Sequence, residues 1–250
     1  MRMFSETRWD IKRLLFWHTL VALLIGSFLW PLTAVFWEKI DVLFFQVLNN
    51  SLKGNPYWQI FWACLNHPMM DWIADGIMLL FFTAYVCRSG ATSRQRKVAE
   101  SIFTALFIAA VIFFIITLFF RQYLRIRRMS PSLVVESSIR ISKHIDWLSI
   151  KDSCNRSFPG DHATTVLLFG ACFYHFAKGK LGLLAIAFAI LLTLPRLILG
   201  AHWLTDVMMG SLPVTILSFT WVFHTPVKEW TLTHLTTLIS RFSRQKVSSN

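Results

Sequence analysis

Long apolar runs alternate along this chain with short polar connections, and the runs have the length of bilayer-crossing helices. A spanning helix needs about 20 mostly apolar residues. Leu14 to Trp37 meets that length, as do Leu181 to Leu194 continuing through Ala201, Val207 to Phe223, and Ile102 to Phe120, which carries no charge at all. Ile73 to Cys87 and Ala163 to Ala177 are shorter, but can span if neighbours cover their ends. The pattern therefore predicts an all-α integral membrane protein with six transmembrane helices. Between the first two runs, Glu38 to Asp71 is rich in Trp and Phe (Phe44, Phe45, Trp58, Phe61, Trp62) and poor in charge, which predicts short helices lying at the interface. With no internal repeat or low-complexity tract, residues 1–250 read as one membrane-embedded domain, and 243–250 as a flexible tail. The first run follows Arg2, Arg8, Lys12 and Arg13 in the manner of a secretory signal. Its apolar stretch exceeds the roughly 7–15 residues of a signal core and no small-x-small cleavage site follows, so it reads as an uncleaved anchor.

Composition agrees with that pattern and excludes a soluble domain. The chain has 250 residues, 55% of them hydrophobic, and a mean hydropathy of +0.52. A net charge of +12 would suggest nucleic acid in a soluble protein. Here the basic residues lie in loops and the aromatics in the spans, so lipid head groups are the expected partners and nucleic acid is not. With six spans both termini share a side. The basic N-terminal segment, the loop with Arg88, Arg94, Arg96 and Lys97, the turn with Lys178 and Lys180, and the tail with Lys228, Arg241, Arg244 and Lys246 all fall there. That side is expected to be cytoplasmic. The segment from Arg121 to Arg156 breaks the rule: it lies on the opposite side yet carries Arg121, Arg125, Arg127, Arg128, Arg140, Lys143, Lys151 and Arg156. A polyanionic ligand explains the exception; head groups at the interface are the alternative. The four cysteines (Cys64, Cys87, Cys154, Cys172) lack metal-ligand spacing and read as isolated thiols.

Candidate chemistry gathers on that opposite side. The block Ser157-Phe158-Pro159-Gly160-Asp161-His162 puts a histidine just past a Pro-Gly turn, in the first turn of the fourth span. Helix N-termini bind phosphate through unpaired N–H groups, with Ser157 and Gly160 shaping the cradle, and His162 can protonate a leaving oxygen. A second block spaces Arg196, His202 and Asp206 as R-x5-H-x3-D. Four residues apart on a helix, Asp206 can fix the tautomer of His202 and leave its other nitrogen free to attack phosphorus. A His–Asp pair that merely staples a helix is the alternative. Arg196 at membrane depth needs a partner: a phosphate, or a carboxylate such as Asp206 or Asp75. Arg121, Arg125, Arg127 and Arg128 can neutralise the charge that grows on phosphoryl oxygens, although Arg125 fits better as an interfacial anchor. Asp75, four residues after Asp71, reads as a partner for a buried arginine or a helix-packing group.

These blocks resemble the signature of the type 2 phosphatidic acid phosphatase (PAP2) superfamily: K-x6-R-P, then P-S-G-H, then S-R-x5-H-x3-D. The third matches at Arg196, His202 and Asp206, with Pro195 in place of serine; the second reads Pro159-Gly160-Asp161-His162; the first keeps its spacing as Arg121-x6-Arg128, followed by Met129. The R-x-S-P element at Arg128 to Pro131 and the run from Pro195 to Asp206 look like one branch of that superfamily. That branch moves a phosphoryl group from undecaprenyl diphosphate to the 1-phosphate of lipid A in a Gram-negative inner membrane. The resemblance implies a metal- and cofactor-independent phosphotransferase or phosphatase facing the periplasm, with lipid A and polyprenyl diphosphate lipids as partners. It implies His202 as nucleophile, Asp206 as its orienting carboxylate and His162 as acid, with Arg128, Arg196 and Arg121 on the phosphates. Plain hydrolysis of a lipid phosphate and non-catalytic head-group binding or translocation are the alternatives.

Overall fold

A computed structural model of the chain describes residues 9–88 and 90–248. Arg2 and Arg8, part of the expected basic N-terminal segment, lie outside the described residues, as do residues 249–250 of the expected tail. The architecture is all-helical, with no strand among the described residues. Its helices are α1 (Ile11–Leu29), α2 (Pro31–Asn50), α3 (Pro56–Leu65), α4 (Met69–Cys87), α5 (Ala91–Ala110), α6 (Pro131–Val134), α7 (Asp161–Ala177), α8 (Gly179–Ile198), α9 (Leu212–Phe223) and α10 (Val227–Ser248). Wider π-type turns extend α5 through Val111–Tyr123 and lead into α9 over Asp206–Ser211.

Five helical stretches are long and apolar enough to cross a membrane: Ile11–Leu29, Met69–Cys87, Ser93–Tyr123, Gly179–Ile198 and Asp206–Phe223. The expected fourth span is α7, at 17 residues shorter than these. The expected first span does not run on to Trp37. Pro31 has no N–H to donate and disfavours helix at the residue before it, so Trp30 turns extended (φ −71°, ψ 125°) and a new helix begins. The aromatic segment after it is correspondingly not a set of short pieces: α2 runs 20 residues to Asn50, and only α3 is short, capped by the Asn55 side chain, which accepts from the Trp58 N–H (3.0 Å). The helix α10 takes in most of the segment expected to be a tail.

The lipid-facing character of the bundle is plain from what its helices leave exposed. Leu15, Phe16, Leu20 and Leu23 on α1, Leu79 and Leu80 on α4, and Leu183, Leu184, Ile190 and Leu191 on α8 all point outward. In water such a surface would be costly; against acyl chains it is not. α7 and α8 make the most extensive helix–helix contact, an approach allowed by small residues: a Cβ on Gly170 would stand 3.2 Å from the Cβ of Ala189.

The two ends of the bundle differ. At one end α10 packs across α5, tied by Arg96, which donates to Glu100 (3.1 Å) and Glu229 (2.9 Å). At the other end the C-termini of α8 and the α5 extension meet the N-termini of α4, α7 and the turn into α9. Beneath the loops there, Leu52, Trp62, Ile141, Ile145, Ile198 and Leu199 form a buried cluster that holds the connecting segments rigid.

Candidate active site

Every motif singled out in the sequence converges on that second end. His162 sits in the first turn of α7, behind its cap Gly160. Arg196 sits in the last turn of α8. The chain then reverses through Gly200, whose φ of +79° suits glycine, and delivers His202 and Asp206. Arg121 ends the α5 extension. Together His162, His202, Arg121 and Arg196 line a cavity of about 400 Å³, joined by Asp71, Asp75, Lys151, Arg156 and Asp161.

His202 is oriented by a backbone group. Its Nδ1 lies 2.8 Å from the carbonyl oxygen of Ser157. A carbonyl only accepts, so Nδ1 carries the proton and donates it, and Nε2 is the nitrogen that bears the lone pair of the neutral ring. Asp206 stands 3.7 Å from the same Nδ1, beyond hydrogen-bond reach. Fully buried, it accepts instead from the Trp203 N–H (2.8 Å) and from Arg128 Nη1 (2.6 Å). The expected direct His202–Asp206 hydrogen bond is thus replaced by Ser157 O, with Asp206 bracing the turn and placing a negative charge behind the ring.

Two of the expected phosphate ligands are engaged elsewhere, and a third lies off the cavity. Arg128 does not line the cavity: Nη1 also reaches Thr205 Oγ1 (2.7 Å), and Nη2 reaches Asp41 Oδ2 (2.7 Å) on α2. Ser157 is buried, and its hydroxyl donates to the Arg128 carbonyl (3.1 Å) rather than facing the cavity. Arg127 is exposed and not among the lining residues. Gly160 caps α7 beside His202: a Cβ there would meet Ser211 Oγ at a tight 3.3 Å and His202 Cε1 at an ordinary 3.5 Å. The N-terminal cradle of α7 is partly filled by the chain itself, because Asp161 Oδ1 accepts the His162 N–H (2.8 Å).

The remaining cations are balanced by carboxylates across the cavity. Arg121 Nη2 pairs with Asp161 Oδ2 (2.8 Å), which accounts for the acidic residue beside His162. Arg196 Nη2 pairs with Asp71 Oδ1 (3.0 Å), not with Asp75 or Asp206. Lys151 pairs with the other oxygen of Asp71, and His162 Nδ1 lies 3.5 Å from Oδ1. Sequence reasoning passed over Asp41, named Asp71 only for its spacing from Asp75, and counted Lys151 in the basic segment without pairing the two. The available signal was Asp41 itself, a carboxylate in an aromatic, apolar segment where an unpaired charge is costly. Among the described residues no group of three or more His, Cys, Asp or Glu side chains is arranged to hold a metal ion.

An all-helical membrane bundle with paired histidines and arginines at one end of a polar cavity defines a class, and sequence comparison agrees with it. The chain belongs to the PAP2 superfamily, whose family model matches residues 104–231, a stretch containing all three motifs. Members of that superfamily are phosphatases and phosphotransferases. Among curated proteins the chain is similar to the lipid A 1-diphosphate synthase of Escherichia coli (strain K12), 27% identical over 203 residues, which cover 81% of this chain and 83% of the relative. No solved structure matches the chain significantly.

Proposed function

We propose that the protein transfers a phosphoryl group from a polyprenyl diphosphate, undecaprenyl diphosphate, to the 1-phosphate of lipid A through a phosphohistidine on His202. The observation that carries this reading is His202, held through Nδ1 by the Ser157 carbonyl, with Nε2 left as its available nitrogen, lining one cavity with His162 and Arg196. A lipid substrate is supported by a second, apolar groove of about 430 Å³ between α4, α5 and α7, lined by Met78, Leu79, Phe82, Ile102, Ile108 and Phe169. It shares Asp75, Met78 and Thr165 with the polar cavity, so a head group in one can continue as a chain in the other. The 27% identity to a lipid A 1-diphosphate synthase supports the acceptor.

In this mechanism Nε2 of His202 attacks the terminal phosphorus of the donor. The phosphorus–oxygen bond to undecaprenyl phosphate breaks, and His162 supplies the proton to the departing oxygen. Arg121 and Arg196 give up their carboxylates to the phosphoryl oxygens. A phosphate oxygen of lipid A then attacks the phosphohistidine, His162 takes up the proton that phosphate carried, and the phosphorus–nitrogen bond breaks to free His202. The site faces the periplasm, both termini lie in the cytoplasm, α7 joins the five longer spans to make six, and the bacterial inner membrane houses the protein. Purified protein given undecaprenyl diphosphate labelled in its terminal phosphate, with and without lipid A, tests the reading. Label on lipid A is expected. Label released only as free phosphate makes the protein a hydrolase, and no release at all removes the enzyme reading.

A further inference from the structure

Residues 151–157 form a strap across the cavity, and its backbone is pinned to three other segments. The Cys154 N–H donates to Ser130 Oγ and the Ser130 N–H to the Cys154 carbonyl, both at 2.9 Å. The Ser157 N–H donates to the Arg128 carbonyl (2.9 Å), and Asn66 Nδ2 to the Lys151 carbonyl (2.8 Å). Asp152, 1% exposed, turns inward and accepts the Ser142 N–H (2.9 Å). With those positions fixed, the strap presents Lys151 and Arg156 to the cavity. Neither belongs to the three sequence blocks. Lys151 and Arg196 hold opposite oxygens of one carboxylate, Asp71, so they stand a single bridging anion apart. Arg156 lines the same cavity with no ion pair among the described residues.

We infer that Lys151 and Arg156 form a second anion subsite, which takes the phosphate that is not transferred. The inference rests on the phosphotransfer reading above and names how a diphosphate is told from a monophosphate. In the donor, that phosphate is the leaving group. Once it has gone, the same position suits the incoming phosphate of the acceptor, so a phosphate monoester is favoured over water beside the phosphohistidine. Asp71 holds Lys151 until the anion arrives.

The test uses full-length purified protein turning over undecaprenyl diphosphate, inhibited by inorganic pyrophosphate or by inorganic phosphate. In the unaltered protein pyrophosphate is expected to inhibit at a concentration about 10-fold or more below phosphate, one charge-assisted contact being worth roughly that factor. Lys151→Gln and Arg156→Gln should each bring the two inhibitors to within about 3-fold, Lys151→Arg should keep most of the preference, and Lys143→Gln, elsewhere on the loop, should keep all of it. Because each ratio compares two ligands on one preparation, an unfolded fraction cancels. The second arm measures how label divides between lipid A and free phosphate. A lost pyrophosphate preference with unchanged division assigns the subsite to the donor's phosphate; a shift toward free phosphate assigns it to the acceptor's as well. Equal inhibition by both anions in the unaltered protein, or ratios unmoved by either glutamine variant, overturns the inference alone. If the unaltered protein turns over no phosphate ester, the phosphotransfer reading fails and takes the inference with it.

Discussion

Arg128 is the residue whose environment most changes its meaning. A guanidinium offers several donors in a fixed fork, and here two of its nitrogens serve different elements: Nη1 holds Asp206 and Thr205, Nη2 holds Asp41. Lysine carries its donors on a single nitrogen and cannot reproduce that fork. Arg128→Lys is therefore expected to lower kcat by about 10-fold or more while KM moves little, since the side chain supports the turn behind His202 rather than touching substrate. A steady-state comparison checks this; a rise in KM at constant kcat would make Arg128 a phosphate ligand after all. Asp41→Asn breaks the same network from the other side. Asp41 is 2% exposed and also accepts the Thr205 N–H (2.9 Å); with Arg128 still paired to Asp206 the loss is that of a buried acceptor, about 1–3 kcal/mol, so the variant should lose heat stability in detergent. His202→Ala should lose activity by about 10⁴-fold or more and trap no acid-labile phosphoenzyme.

At the scale of elements, the site is built from chain reversals at helix ends. α8 has to stop at Ile198 and return within a few residues for His202 to face Arg196, and Gly200 makes that turn. A Cβ there would stand 2.7 Å from the Phe45 ring and 3.0 Å from Ser132 Cβ, on a backbone that L residues rarely adopt. Gly200→Ala is expected to cost about 2–4 kcal/mol and to displace the His202 turn, seen as a lower unfolding temperature together with lost activity. Both elements that approach the cavity in π-type turns, Val111–Tyr123 and Asp206–Ser211, carry named site residues, Arg121 and Asp206. Such wide turns often mark functional positions, because they re-aim side chains off the regular helical face.

For the whole molecule, the proposed orientation rests on the distribution of charge. Arg88, Arg96, Lys178, Lys180 and Lys228 lie at the α10 end, and the cavity lies at the other. If the basic end is cytoplasmic, a membrane-impermeant thiol reagent applied to intact cells should label a single cysteine placed at Ser153→Cys in the strap. It should miss Cys87, kept as the sole cysteine, until the membrane is permeabilised. The reverse pattern would turn the cavity to the cytosol and remove lipid A of the outer leaflet as an acceptor.

The apolar runs, the histidine blocks and the end of the bundle where they meet were legible in the sequence. Each depends on local quantities: the length of an uncharged stretch, or the spacing of residues within a single helix or turn. The boundary at Pro31 was legible in principle too, since proline acts on its immediate neighbours. Which arginine lines the cavity and which one is held behind it was decided by tertiary contact. Arg128 and Asp41 are separated by 87 positions, and Arg196 and Asp71 by 125. No local pattern carries such pairings, because the energy that fixes them is the cost of leaving a charge unpaired in a dry interior, and that cost exists only once the helices have packed.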